Sequence, residues 1–178
     1  MDGGQRALTC AHWHGQVPMI AILSGDVMRY IPADHLVDYL DQDLGCSEWL
    51  MIDQARVDQF ANATEDHQFI HVDAERAAAT PFGGTIAHGF LTLALIPRLI
   101  EGLMLAPEGT HMTVNYGLEG VRFIQPVRVG ARVRLHLTLL QATQKRPGQW
   151  LLRARATLEI EGQAQPGFVA EPLLLCFL

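Results

Sequence analysis

The stretch IAHGFLTLALIPRLIEGLML, residues 86–105, is the one on which the fold turns. Only His88, Thr92, Arg98 and Glu101 interrupt its apolar character, and a helix apolar on nearly all sides is a buried one. Its length approaches that of a membrane span, but Arg98, Glu101 and the break at Pro97 assign it to a protein core. Downstream the period changes from helical to two-residue alternation. Val133, Leu135, Leu137 and Leu139 alternate with Arg132, Arg134, His136 and Thr138. Trp150, Leu152, Ala154, Ala156, Leu158 and Ile160 then alternate with Arg153, Arg155, Thr157 and Glu159. Both segments read as half-buried antiparallel strands.

Lys145-Arg146-Pro147-Gly148 supplies the turn between them, and Gln125-Pro126 ends an earlier strand over about 111–124. Gly167 to Leu178 is a nearly continuous apolar last strand, in which Pro172 points to an edge position or a bulge. One long buried helix followed by four antiparallel strands predicts an α+β fold. The sheet must wrap around the helix, because no other element can cover both. That is the arrangement of a single hotdog domain.

Upstream, Asp34 can cap a helix over about 34–44 whose apolar positions Leu36, Val37, Leu40 and Leu44 run to Gly45. Trp49 to Ile52 reads as a brief strand, and Asp53 caps a second helix through Val57, Phe60 and Ala61. Residues 1–30 show no sustained period and read as an irregular leader to a domain over 31–178. No internal repeat is visible. The chain is 49% hydrophobic and carries a formal charge of −6, which argues against binding polyanions, although the Arg residues of the C-terminal half can serve an anionic ligand locally. Cys10, Cys46 and Cys176 are odd in number and lack metal-site spacing, which fits a reducing cytoplasm. Neither a signal peptide nor a membrane span is read.

The densest chemistry lies in Thr64-Glu65-Asp66-His67-Gln68-Phe69-Ile70-His71-Val72-Asp73. A turn can bring Asp66 and His71 to one cavity with a water between them, a pair suited to general acid–base work. The plainer alternative is a solvated loop between helices. His67 and His71 stand at i and i+4, as metal ligands on a helix do, but Gln68, Phe69 and Ile70 between them leave no general-base Glu in place, so no metal is expected. Further on, Ile86-Ala87-His88-Gly89 opens the buried helix. Free amides of a first turn and a residue without Cβ let a developing oxyanion approach the backbone. Equally, Gly83, Gly84 and Gly89 permit tight packing, and His88 reads as a core or rim histidine.

Taken together these features resemble the MaoC-like dehydratases, the R-specific enoyl-CoA hydratase group, and within it the branch that includes nodulation protein N. The hydratase motif stands here as Ala63 to Asp73, a second block as Pro81-Phe82-Gly83-Gly84-Thr85-Ile86-Ala87-His88-Gly89-Phe90-Leu91-Thr92-Leu93, and a third as Asn115-Tyr116-Gly117 with Arg122-Phe123 and Pro126-Val127. The resemblance spans about residues 34–178. It implies reversible hydration of a trans-2-enoyl thioester to the R-3-hydroxyacyl thioester. Asp66 and His71 would be the catalytic pair and the Gly89 amide the oxyanion hole. No cofactor beyond the coenzyme A or acyl carrier protein thioester is implied, and a homodimer with neither nucleic acid nor membrane partner is. Substrate contacts are expected at Gln68, Phe69, Phe82, Gly84 and His88, and at Phe90, Asn115, Tyr116 and Arg122. Phe69, Phe82, Phe90 and Leu93 are candidate walls for the acyl tail, and Arg122 or Arg128 can meet carrier phosphates. Glu65 departs from the Gly of the commonest motif, adding a Cβ and a charge beside Asp66.

Two other functions fit a fold of this class. A hotdog thioesterase needs a carboxylate on or near the central helix, and Thr85 to Ile100 contains neither Asp nor Glu. A noncatalytic acyl-thioester-binding protein has no need of both Asp66 and His71.

Overall fold

The computed structural model of the chain describes residues 28–178. β1 (Arg29–Ile31), a 3-10 helix (Ala33–Tyr39), β2 (Asp43–Cys46) and β3 (Leu50–Met51) lead into α1 (Gln54–Thr64), α2 (Phe69–Val72) and α3 (Ala74–Ala78). Next come α4 (Gly89–Ala94), α5 (Ile96–Leu99) and β4 (Leu105–Pro107). The long strands β5 (Met112–Phe123), β6 (Arg132–Arg146), β7 (Gln149–Ile160) and β8 (Phe168–Phe177) complete the chain. They form an antiparallel sheet in the order β2-β6-β7-β8-β5, with β3 also on β6, while β1 and β4 make a separate parallel pair.

The alternation sorts the strands as expected. Val133, Leu135, Leu137, Leu139, Leu152, Leu158 and Phe168 face the core with Leu91, Leu95 and Leu99 of the helical segment. Leu137, Ala156 and Ala170 share one buried row across β6, β7 and β8, and the two alanines are its small members. The fold is therefore α+β, a hotdog sheet around a central helical segment. On the outer face the arginines are largely committed to neighbouring carboxylates: Arg132 to Glu161, Arg134 to Glu159, Arg153 to Glu119, and Arg155 to Glu171. Cross-strand pairing thus uses the charge that the sequence left open for an anion.

Several expectations change. The run 86–105 is not one long helix: α4 and α5 meet at Leu95, and the turn after Ile100 places Gly102 at φ +72°. Pro97 has no N–H to donate to Leu93, which loosens the join. Nor is it buried all round. Leu91, Leu95, Ile96 and Leu99 are covered, whereas Phe90 is 68% exposed and Ala94, Pro97 and Arg98 face outward. The helix over 34–44 shortens to the 3-10 turn, because Asp41 adopts a left-handed φ of 59° and the chain then joins the sheet as β2. The Asp53 cap is present, its carboxylate accepting the Arg56 N–H at 2.8 Å.

Pro172 does not mark an edge: β8 lies between β7 and β5. Its missing donor is accommodated where pairing with β7 lapses between Leu173 and Ala170, next to an irregularity in β5 between Leu118 and Val121. The edge strand is β5, and every one of its residues is exposed. Residues 28–30, assigned above to the leader, belong to the domain through buried Met28 and the β1–β4 pair, and residues 1–27 lie outside the described residues. Among the described residues no helix is long and apolar enough to cross a membrane.

Candidate active site

α1 ends at Glu65, whose φ of 60° and ψ of 18° are left-handed. A glycine adopts this conformation without steric cost, and a side chain there is strained by roughly 1–3 kcal/mol. The sharp reversal delivers Asp66 to the turn before α2. Asp66 is half exposed, and its carboxylate accepts the Gln68 N–H in a long bond of 3.4 Å. Two helical residues later, His71 is buried.

The His71 ring has a defined tautomer. Its Nδ1 lies 2.7 Å from the Ile86 carbonyl oxygen, which can only accept, so Nδ1 carries the proton. Nε2 is left with a lone pair. Burial is the largest influence on this imidazole and lowers its pKa; the Ile86 bond and the Asp66 charge act in the opposite direction and do not offset it. His71 is therefore a neutral base at pH 7.

The segment carrying the Ile86 carbonyl is stitched on both sides. Ile86 N–H donates to Ile70 O at 3.0 Å, Ala87 N–H to Val127 O at 2.8 Å, and Val129 N–H to Thr85 O at 3.0 Å. Gln54 adds a further tie, donating to the His71 carbonyl at 2.7 Å and accepting the Thr85 hydroxyl at 2.7 Å. Gly89 then begins α4, with an amide that has no acceptor one turn earlier. A Cβ at Gly89 would stand 3.0 Å from the Phe123 ring, so only glycine fits this approach without displacing Phe123.

His71, Gly89 and Phe82 border one cavity of about 320 Å³, together with Ile86, Ala87, Thr92 and the segment Phe123 to Val127 closed by Gly167. It is mainly apolar, with the base and the amide on one wall. A second cavity of about 390 Å³ adjoins it at Phe82, Gln125 and Pro126 and contains Arg128. Thus His71 and Gly89 share one cavity, while Asp66 does not line it; its carboxylate lies within 4.8 Å of ring nitrogens of His71 and His88. Phe82 is on the wall, but Phe69, Gly84, Phe90 and Leu93 do not line the cavity. Phe69 packs under the Arg76 guanidinium at 4.3 Å, and Phe90 meets Phe123 edge-on from the open side. Gln68 is exposed, and Asn115, Tyr116 and Arg122 are exposed on β5. His88 is buried behind His71 rather than in the cavity wall. Thr92, Val127 and Gly167 were not named as site residues from the sequence; Thr92 and Val127 fall within the matching blocks, and no motif marks Gly167.

His67 is exposed and bonded to Asn62, away from the cavity. A different trio, Asp66, His71 and His88, places its ligand-type atoms within 4.8 Å of one another. The two imidazoles are stacked with centroids 3.7 Å apart at 26°, so their in-plane lone pairs run side by side instead of converging on an ion.

The MaoC like domain family matches residues 37–158. Among curated proteins, the chain is 49% identical over 133 residues to 3-hydroxyacyl-thioester dehydratase Z of Mycobacterium tuberculosis (strain ATCC 25618 / H37Rv), covering 75% of this chain and 87% of that protein. It is 46% identical over 145 residues to nodulation protein N of Rhizobium meliloti (strain 1021), covering 80% and 89%. The fold is similar to the R-hydratase PhaJ1 of Pseudomonas aeruginosa, with a TM-score of 0.63, 26% identity and 84% and 87% of the two chains covered. A domain match across most of the described chain, with curated relatives 46% and 49% identical over most of both lengths, shows that this chain belongs to the MaoC-like dehydratase family of hydratases and dehydratases.

Proposed function

We propose that the protein catalyses the reversible, R-specific addition of water to a trans-2-enoyl thioester. The observation that carries this reading is the His71 ring, neutral and locked with its Nε2 lone pair available, beside Asp66 and on the same cavity as the Gly89 amide. Water held between Asp66 and His71 attacks C3 and gives up a proton to the pair as the C2–C3 π electrons move onto the thioester oxygen. The Gly89 N–H stabilises the enolate, which exists only along the reaction coordinate. A proton returned to C2 completes the 3-hydroxyacyl thioester, and dehydration is the reverse.

The apolar cavity suits an acyl tail. The adjoining cavity with Arg128 suits a phosphate-bearing carrier arm, whether of coenzyme A or of an acyl carrier protein. A series of C4 to C16 trans-2-enoyl-CoAs, followed by loss of the conjugated thioester absorbance and chiral analysis of the product, tests the reaction. The expected product is the R alcohol. Activity should fall in acid with a midpoint below 6.5, because protonated His71 accepts nothing and burial has lowered its pKa. Free thiol released in place of a hydroxyacyl product would sink the reading in favour of a thioesterase.

The active unit in this proposal is a homodimer. β5 is an uncovered edge strand with Val114, Tyr116, Leu118, Val121 and Phe123 exposed, and Phe90 is exposed beside Phe123. A second copy pairing along β5 would cover both. Light scattering at micromolar concentration should give twice the 19.7 kDa chain mass; a monomer would overturn the pairing.

A further inference from the structure

His88 poses a problem that the proposed chemistry does not solve. Its side chain is 3% exposed, yet Nδ1 is buried without a hydrogen-bond partner among the described residues. An unsatisfied buried acceptor costs about 1–3 kcal/mol, and an apolar ring of the same shape would avoid that cost. Something else must depend on the imidazole. Its other nitrogen shows what: Nε2 lies 2.9 Å from the Asp66 backbone carbonyl, an acceptor only, so Nε2 carries the proton and donates. One face of the ring stacks on His71 at 3.7 Å, and the ring packs against Phe60 at 5.0 Å. His88 thus grips the exposed Asp66 turn with a hydrogen bond while its plane supports the His71 ring.

We propose that His88 is a positioning residue: it sets the separation between the Asp66 carboxylate and the His71 imidazole without touching substrate. This rests on the acid–base reading above. The need for such a residue follows from the turn itself. Asp66 hangs on a left-handed Glu65, and among the described residues its carboxylate has only the long Gln68 bond and, at 4.0 Å, the His88 Nε2, so nothing within the turn itself fixes its distance to His71. The His71 ring is fixed independently by Ile86. One donor, borrowed from the start of α4, closes the gap between them.

Two variants separate the parts of the role. His88→Phe keeps a flat ring for the stack and loses the donor; His88→Gln keeps an N–H near the position of Nε2 and loses the ring. If positioning runs through the Asp66 bond, His88→Phe lowers kcat on crotonyl-CoA by at least about tenfold with KM nearly unchanged, and His88→Gln recovers much of the loss. A second readout needs no turnover. The groups that act on His71 are Asp66 and His88, and the Asp66 charge raises its pKa. In NMR titrations, Asp66→Asn should therefore lower the His71 pKa in the otherwise unaltered protein, and this effect should shrink when His88 is Phe. An Asp66 effect on His71 that is equal in both backgrounds, or wild-type kcat in both His88 variants, would overturn the proposal. If the unaltered protein fails to hydrate any enoyl-CoA, the function proposed above falls, while the titration cycle still decides whether His88 couples the two groups. Should His88→Phe not fold, the kcat and titration of His88→Gln carry the test, and retention of the Asp66 coupling there is the expected result.

Discussion

Asp66→Asn and His71→Ala should each lower turnover of crotonyl-CoA or a longer enoyl-CoA by roughly 10²-fold or more, the scale of a lost general acid–base group. The fold should survive both. Asp66 is half exposed on a turn, and the carbonyl that His71 leaves behind at Ile86 borders a cavity that water can enter. Because the two groups act on one water, the double variant should be little worse than the poorer single one, whereas independent contributions would multiply. His67→Ala is the internal control. That ring is exposed and bonded to Asn62, so its loss should leave turnover unchanged. Near-normal hydration by Asp66→Asn would show that the carboxylate has no part in the chemistry and would favour a protein that binds acyl thioesters without turning them over.

Phe168→Ala should be the most damaging core substitution. Phe168 is fully buried on β8, paired with Leu158 on one side and Phe123 on the other. Truncation removes the ring and leaves a cavity, at a cost of about 3–5 kcal/mol. For a chain of this size that is a fall in Tm on the order of 10 °C, readable by calorimetry or circular dichroism. The damage should also reach the site, since Phe123 borders the catalytic cavity and approaches Gly89. A loss under 1 kcal/mol would mean that the sheet collapses around the gap and that the core row is less tightly determined than its burial indicates.

The strands were legible because alternation is a direct record of a two-faced surface. Arg132 to Leu139 and Trp150 to Ile160 could be assigned to faces residue by residue, and the faces are as assigned. The helix was less so. Apolar content in 86–105 marks what is removed from water but not how the backbone turns, and one Pro97 and one Gly102 decide that. It also hides exposure: Phe90 is as apolar as Leu91 and faces the other way. Of the two readings of Pro172, the irregular strand held and the edge did not, for a related reason. Whether a missing donor matters depends on irregularities in the strands beside it, and those lie more than ten residues away in sequence.

At the candidate site, the sequence singled out Asp66, His71 and Gly89 because their blocks are short and their spacing is particular, and the structure puts Asp66 beside His71 and puts His71 and Gly89 on one cavity. The departure at Glu65 was legible too, and its consequence is visible as a side chain held in a glycine conformation. The role of the far wall was not, since Phe123 to Val127, though partly within the third block, and Gly167 are brought to the cavity by the sheet and carry no catalytic residue type. Neither was the Gln54 tie to His71 and Thr85: a glutamine in the first turn of a helix looks like a solvated residue until its partners are known.

The stitched segment 85–87 has a bearing on how the enzyme would come apart. By secondary structure it is a connection, with a single bridge between Ile86 and Arg128. By bonding it is tied on both sides: the Ile86 and Ala87 amides donate to Ile70 and Val127, and the Thr85 carbonyl accepts from Val129, so these two amides should be protected from exchange with solvent deuterium. Freeing Ile86 pulls on Ile70 and on the carbonyl under the His71 ring; freeing Ala87 pulls on Val127 in the cavity wall. In the proposed function, the His71 ring, the Gly89 amide and the cavity wall would then loosen together, so that warming or denaturant should remove whole sites from the population rather than gradually blunt each of them.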